Sequence, residues 1–201
     1  MKNQKLVIVD TQSEFCEELD KHFYKIENVE IINGRFEDLL QFDCLVSPAN
    51  SFGLMDGGID KAIINFFGNE LQNKVQKNII AKYNGEQPIG TSMIVETGNK
   101  THPYIAHTPT MRTPKNIWGT DNVYLAMFAM LIEIKNHNSI FNDIFLIACP
   151  GLGTLTGEMP YNIAAKQMVL AYKNFMNPPT YIDWEYALNR EEEISKSLFY
   201  L

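Results

Sequence analysis

Two segments of this chain pass straight from an apolar run into a string of small residues, and these junctions restrict the fold more than any other feature. Ile144-Phe145-Leu146-Ile147-Ala148-Cys149, the most apolar strand candidate, leads into Pro150-Gly151-Leu152-Gly153-Thr154-Leu155-Thr156-Gly157. Asp43-Cys44-Leu45-Val46-Ser47-Pro48-Ala49-Asn50 reads as a short strand stopped by proline, and Ser51 to Gly58, holding Gly53, Gly57 and Gly58, reads as a loop. A helical pattern follows each loop. One runs from about Asp60 to Phe67 with Gly68 as its C-cap, the other from about Tyr161 to Phe175. Strands that alternate with helices of this length pair in parallel through right-handed crossovers, with helices on both faces of the sheet. Ligands of such sheets sit at the carboxyl ends of the strands. The two glycine-rich loops share one edge if their strands are parallel neighbours.

The remaining segments fit the same α/β plan. Leu6 to Val9 is a continuous apolar run ending at Asp10, as expected of a strand buried on both faces. Thr11-Gln12-Ser13-Glu14 has the capping-box pattern of a helix start, and Phe15, Leu19, Phe23 and Ile26 follow at roughly helical spacing. Val29 to Asn33 predicts a strand closed by a turn at Gly34. Glu70 to Tyr83 predicts a helix with Leu71, Val75 and Ile79 on one face. Thr91 to Glu96 and Tyr104 to Thr108 predict strands joined by Gly98-Asn99-Lys100, and Pro109 to Gly119 is irregular. Val123, Met127, Met130, Leu131 and Ile134 mark another amphipathic helix. Asn177-Pro178-Pro179 breaks the chain, so residues 1–176 form the expected domain and 177–201 a helical extension packed on it. Tyr181, Trp184 and Tyr186 are the expected anchors of that extension, and Glu191-Glu192-Glu193 a solvated face.

Composition narrows the chemistry. A chain of 201 residues, 45% hydrophobic and 20% charged, suits one globular domain. No apolar run approaches the ~20 residues of a membrane span, and the first residues lack a secretory signal. Cys16, Cys44 and Cys149 have no metal-ligand spacing, so a reducing, cytoplasmic setting is expected, with no metal and no cofactor. A net charge of −7 gives no reason to approach nucleic acid or an anionic membrane. An anionic ligand would therefore be held by backbone dipoles. Gly57 and Gly58, just before a helix, supply such a site, and the second loop adds close backbone approach and threonine hydroxyls. Facing each other, the loops would clasp a diphosphate without a lysine. Neither contains the G-x-x-x-x-G-K-[ST] or G-x-G-x-x-G pattern, which disfavours a nucleoside triphosphatase and a dinucleotide-dependent dehydrogenase. His107, inside an apolar strand, reads as a core histidine, and Cys149 as a buried structural thiol.

Val46-Ser47-Pro48-Ala49-Asn50-Ser51 followed by Gly57-Gly58-Ile59-Asp60-Lys61-Ala62-Ile63 resembles the first ligand loop of the macro domain family, Asn-Ala-Ala-Asn-Ser and then Gly-Gly-Val-Asp-x-Ala-Ile. Tyr104-Ile105-Ala106-His107-Thr108 resembles its Val-Ile-His-Thr strand, and Cys149 to Thr154 its second loop. The resemblance implies a three-layer α/β/α sandwich with a mixed, mostly parallel central sheet, and a cleft for ADP-ribose. It assigns the distal ribose to Asn50, water activation or ribose orientation to Asp60, and one wall to Ala49, Gly57, Gly58 and Ile59. The opposite wall falls to Pro150, Gly151, Gly153, Thr154, Leu155, Thr156 and Gly157; Phe36 and Phe52 are each suited either to stack on a base or ribose or to belong to the core. Asp60 is equally suited to cap its helix, and Asn50 to cap a turn. Gly34-Arg35-Phe36 replaces the family's Gly-Asp-Ile, which leaves Asp38 as a candidate for the adenine contact, and Asp56 adds a negative charge where glycine is usual. The implied activity is hydrolysis of ADP-ribosyl conjugates by Asn50 and Asp60, with ADP-ribose or an ADP-ribosylated substrate as partner. The alternatives are a binding module for ADP-ribose or another NAD-derived nucleotide, and a phosphatase acting on ADP-ribose 1''-phosphate.

Overall fold

In a computed structural model, which describes residues 4–199, the apolar runs become six strands. They are β1 (Lys5–Asp10), β2 (Val29–Asn33), β3 (Cys44–Ser47), β4 (Met93–Glu96), β5 (Tyr104–His107) and β6 (Leu146–Pro150). Their order is β2-β1-β6-β3-β5-β4. All neighbours are parallel except β4 and β5, whose short connection allows only an antiparallel hairpin. Asp43 fixes the register at the middle of the sheet. Its Oδ2 accepts the amides of Phe145 and Leu146, both at 2.7 Å, so that Cys44 pairs with Ile147. The strands preceding the two glycine-rich loops are thus parallel neighbours.

Six α-helices complete the fold among the described residues: α1 (Ser13–His22), α2 (Gly58–Phe67), α3 (Glu70–Tyr83), α4 (Asn122–Asn138), α5 (Tyr161–Met176) and α6 (Trp184–Lys196). Alternate residues of each strand serve opposite faces. Leu6, Ile8, Val46 and Cys149 pack with α1, α4 and α5, while Val9, Leu45, Ile105 and Ala148 pack with α2 and α3. Each fully buried Val, Leu or Ile among them contributes about 1.5–3 kcal/mol. The result is a three-layer α/β/α sandwich with a mixed, mostly parallel sheet. No described helix is long and apolar enough to cross a membrane.

Two local expectations are corrected. The Thr11–Glu14 capping box does not form: Gln12 is the N-cap of α1 and no side chain caps it from within the box. Asp10, two residues upstream, takes the Gln12 amide at 2.9 Å instead. The helix also stops at His22, so Phe23 is its C-cap and Ile26 lies beyond it, although Phe23 remains buried against Tyr172. The second correction concerns α6. Tyr181 and Trp184, read as anchors, are 75% and 82% exposed. A polar clasp holds the segment: Arg190 donates to the Tyr124 hydroxyl at 3.1 Å and to the Tyr186 hydroxyl at 2.6 Å. Ile194 packs on the core and Ser197 is buried, while Glu191, Glu192 and Glu193 face solvent.

Candidate functional site

A cleft of about 270 Å³ opens along the carboxyl edge of the sheet. At the β1–β2 end it is lined by Asp10, Thr11, Gly34, Arg35, Phe36 and Glu37. Over β3 and β5 the lining is Pro48, Gly58, Ile59, Ala62, Thr110 and Met111. The second loop, with Pro150, Gly151 and Gly153 to Gly157, closes the other side. The two loops come close: a Cβ built on Gly58 would stand 3.8 Å from Thr156 Oγ1. Gly58 also has φ +54°, a conformation that disfavours any side chain, and it opens α2 directly after the N-cap Gly57. First-turn amides at a helix start have no intrahelical acceptor, and the helix dipole favours an anion there. In the second loop, the bonds Met159 N to Gly153 O (3.0 Å) and Ile117 N to Gly157 O (2.8 Å) fix the shape. The amides of Thr154, Leu155 and Thr156 take no part in these bonds among the described residues.

The electrostatics are carried by few side chains. Arg35, the one basic residue lining the cleft among the described residues, is already paired with Glu37 at 2.6 Å. Asp10 lies on the floor, where it accepts the amides of Gln12 and, at 3.2 Å, Gly151. Burial raises its pKa above the ordinary carboxylate value against the pull of those amides. Gly151 leaves room for this contact, since a Cβ there would collide with Asp10 Oδ2 and Phe15.

Asn50 is turned into its own loop. Its Oδ1 accepts the amides of Phe52 (3.1 Å) and Leu54 (3.3 Å), and its Nδ2 donates to Leu54 O at 2.7 Å. Asp60 lies in the first turn of α2 but does not cap it, because Gly57 holds that position. Its carboxylate is buried behind the loop and accepts the Ser47 hydroxyl at 2.6 Å. Burial raises the Asp60 pKa to about 6; the Ser47 hydrogen bond opposes the rise and the charge of Asp56 adds to it. His107 is fully buried, its Nδ1 is 2.7 Å from Gln87 Oε1, and burial pushes its pKa down to about 3. It is neutral at physiological pH. Cys149 is likewise buried, which pushes its thiol pKa upward. Among the described residues, no group of three His, Cys, Asp or Glu side chains is placed to hold a metal ion.

The Macro domain family model matches residues 46–168, from the end of β3 to within α5. The chain belongs to the Macro domain family. Its relatives include an uncharacterized protein of Aquifex aeolicus (strain VF5), 29% identical over 149 residues that cover 74% of this chain and 82% of the relative. Among solved structures, an Oceanobacillus iheyensis macrodomain variant with ADPR aligns at a TM-score of 0.60 and 20% identity, covering 81% of this chain and 89% of that one. The macrodomain of Mycobacterium tuberculosis DarG aligns at 0.56 and 22% identity, covering 70% and 87% respectively.

Within this macro domain, the structure brings most of the sequence-predicted residues together. Phe36, Gly58, Ile59, Pro150, Gly151, Gly153, Thr154, Leu155, Thr156 and Gly157 all line the cleft. Ala49, Asn50, Gly57 and Asp60 do not. Ala49 is buried in the strand-to-loop crossing, with its amide bonded to Ser47 O and Thr108 O, and Gly57 is exposed outside the rim. Phe36 is 2% exposed and packs edge-on against Phe66. It forms wall, not a free stacking surface. Asp38, the candidate for the adenine contact, lies outside the cleft, and the acidic groups at that end are Asp10 and Glu37. Asp56 is exposed and does not line the macro domain cleft. Asp10, Thr110 and Met111 were not singled out from sequence. Asp10 sits 141 positions from its partner Gly151, and Thr110 lies in a segment without periodicity.

Proposed function

We propose that the cleft binds ADP-ribose, with the diphosphate between the α2 N-terminus and the second loop. The adenosine then lies toward Asp10 and Phe36, and the terminal ribose toward Thr110 and Met111. One observation carries this reading: glycine-rich backbone with its main-chain amides borders the cleft on both sides, Gly58 facing Thr156, while the one lining cation among the described residues is paired with Glu37. A hydrogen bond to a charged group is worth roughly 1.5–3 kcal/mol, so three or four such amides hold a pyrophosphate without a lysine. Family membership, and the fold shared with a macrodomain described with ADPR, support the same ligand.

Recognition without hydrolysis is the activity that this arrangement favours, because the side chains of Asn50 and Asp60 are committed to Leu54 and Ser47 and do not line the cleft. Hydrolysis of ADP-ribosyl conjugates is the second reading, favoured by the Asp60 pKa of about 6, which suits proton transfer near neutrality. It requires Asp60 to leave Ser47 and the first loop to open. Calorimetry with ADP-ribose, followed by product analysis on a mono-ADP-ribosylated protein, separates the readings. Binding with no released ADP-ribose supports a module, and released ADP-ribose supports the hydrolase. Phosphate release from ADP-ribose 1''-phosphate would make the protein a phosphatase, and absence of ADP-ribose binding would refute the reading of the cleft.

A further inference from the structure

The two edges of the sheet are finished differently. At β4, Lys74 Nζ donates to the carbonyls of Glu96 (3.3 Å) and Thr97 (3.2 Å), and a lysine laid over an edge in this way blocks further pairing. At the other end of the order, β2 pairs with β1 alone among the described residues. Its sequence, Val29-Glu30-Ile31-Ile32-Asn33, holds no proline, glycine or lysine and is rich in β-branched residues. Its register with β1 runs unbroken from Val29 to Asn33, so no bulge turns the edge away. Its charged side chain, Glu30, is paired with Lys5 at 2.6 Å. The β2 edge lacks the protection that β4 has.

The phase of the ladder decides which groups this edge offers. The Leu6 amide donates to Asn28 O, and the Gly34 amide to Asp10 O, both at 2.9 Å. Even-numbered residues of β2 thus turn their backbone groups toward β1, and Val29, Ile31 and Asn33 turn theirs outward. An antiparallel strand engages all three in the register centred on Ile31. That register is symmetric, so β2 of a second copy satisfies it with the same residues: Ile31 opposite Ile31, and Val29 opposite Asn33. It also brings the segment before one β2 to the segment after the other. Glu27 then meets Arg35, both exposed and of opposite sign. On the face carrying Ile32, a groove lined by Val7, Ile32, Leu39 and Leu40 lies open beside the same edge, with Leu40 96% exposed. Apolar surface of this kind at an unprotected edge is what association covers.

We propose that β2 is the pairing edge of a twofold homodimer, in which it lies antiparallel to β2 of a second copy, centred on Ile31, and joins the two six-stranded sheets into one. The assignment is independent of what the cleft binds. Two paired five-residue strands cover less than a standard protein interface, so the dimer is reversible, with a Kd on the order of 10–100 μM.

The test begins with sedimentation equilibrium of the full chain from about 1 to 300 μM, where a monomer–dimer equilibrium is expected. Ile31→Pro removes the central outward N–H without touching the bonds to β1, and should weaken the dimer at least tenfold, roughly. Thermal unfolding shows whether that variant folds. A pair of cysteine variants reads the register directly. In the proposed pairing Glu30 faces Ile32 of the second copy, with Cα atoms about 4.5 Å apart, whereas like positions lie on the longer diagonal. Glu30→Cys mixed with Ile32→Cys, oxidised with glutathione disulfide, should therefore give a covalent dimer several times faster than either variant alone. A parent that stays monomeric throughout overturns the proposal. So does a dimer that a folded Ile31→Pro leaves unchanged, or crosslinking no faster in the mixture than in the separate variants. If Ile31→Pro does not fold, the cysteine comparison decides.

Discussion

Replacing Asp60 by asparagine keeps the size and the acceptor oxygen facing Ser47 but removes the charge, and the consequence for stability can be worked out from the site. The ordinary pKa of this carboxyl is 3.8, and in the folded protein burial lifts it to about 6. Between those values the folded chain holds a proton that the unfolded chain has released, so stability falls as pH rises through that window. Below pH 3.8 the penalty is absent, and above about 6 it is fully present. The gap between the two values corresponds to about 3 kcal/mol. Asp60→Asn escapes this loss but buries a new amide N–H that lacks an assured partner, at a cost of about 1 kcal/mol. The variant should thus be about 2 kcal/mol more stable than the parent at pH 7.5 and about 1 kcal/mol less stable at pH 3.5. The assay is urea unfolding of both proteins at the two pH values. The swing of about 3 kcal/mol between them is independent of the amide cost, which makes it the decisive quantity. An Asp60→Asn difference that does not change with pH would show that the fold does not raise the pKa of this carboxyl, and the electrostatic description of the first loop would have to be abandoned.

Three further outcomes are expected. Asn50→Ala removes three bonds within the first loop and should cost about 2 kcal/mol, with faster hydrogen exchange at the Phe52 and Leu54 amides of the free protein; unchanged exchange there would mean the loop is held by other contacts. Gly153→Ala places a Cβ at φ +73°, 2.8 Å from Ile117 and 2.9 Å from Val123, and should lower stability by about 2 kcal/mol in thermal unfolding while weakening ADP-ribose. Arg190→Ala should leave unfolding of the main body within about 1 kcal/mol but speed proteolytic cleavage between residues 177 and 183; equal cleavage rates would show that the clasp on Tyr124 does not hold α6.

Local patterning was enough to find the strands and most helices. The apolar runs before Asp10 and Pro150 could hardly be anything but buried strands, and glycines flanking Gly58 and Gly153 marked the loops that line the cleft. Position along a motif did not show where side chains point. Asn50 sits in the expected loop yet spends its amide on Leu54, and Asp60 turns toward Ser47, thirteen residues back, because that hydroxyl satisfies a carboxyl that has no access to water. Contacts made across the sheet were equally hidden. The Asp10–Gly151 bond depends on β1 and β6 being neighbours, a fact of topology that no window of sequence contains. The aromatic residues of the last segment suggested an apolar dock of their own, whereas the attachment is a guanidinium reaching the Tyr124 hydroxyl, steadied by Tyr186 of the same helix, together with Ile194 on the core.

The near absence of free positive charge around the cleft affects how fast a ligand arrives as well as how it is held. A protein of net charge −7 repels a doubly charged nucleotide at long range, and its one lining guanidinium is already balanced by Glu37. If the cleft binds as proposed, capture waits on chance collision, with the grip beginning only when the phosphates touch the amides. Raising ionic strength shortens the reach of the repulsion, to about 10 Å at 0.1 M, so added electrolyte should quicken association here, the reverse of the usual behaviour of phosphate-binding surfaces built on lysine.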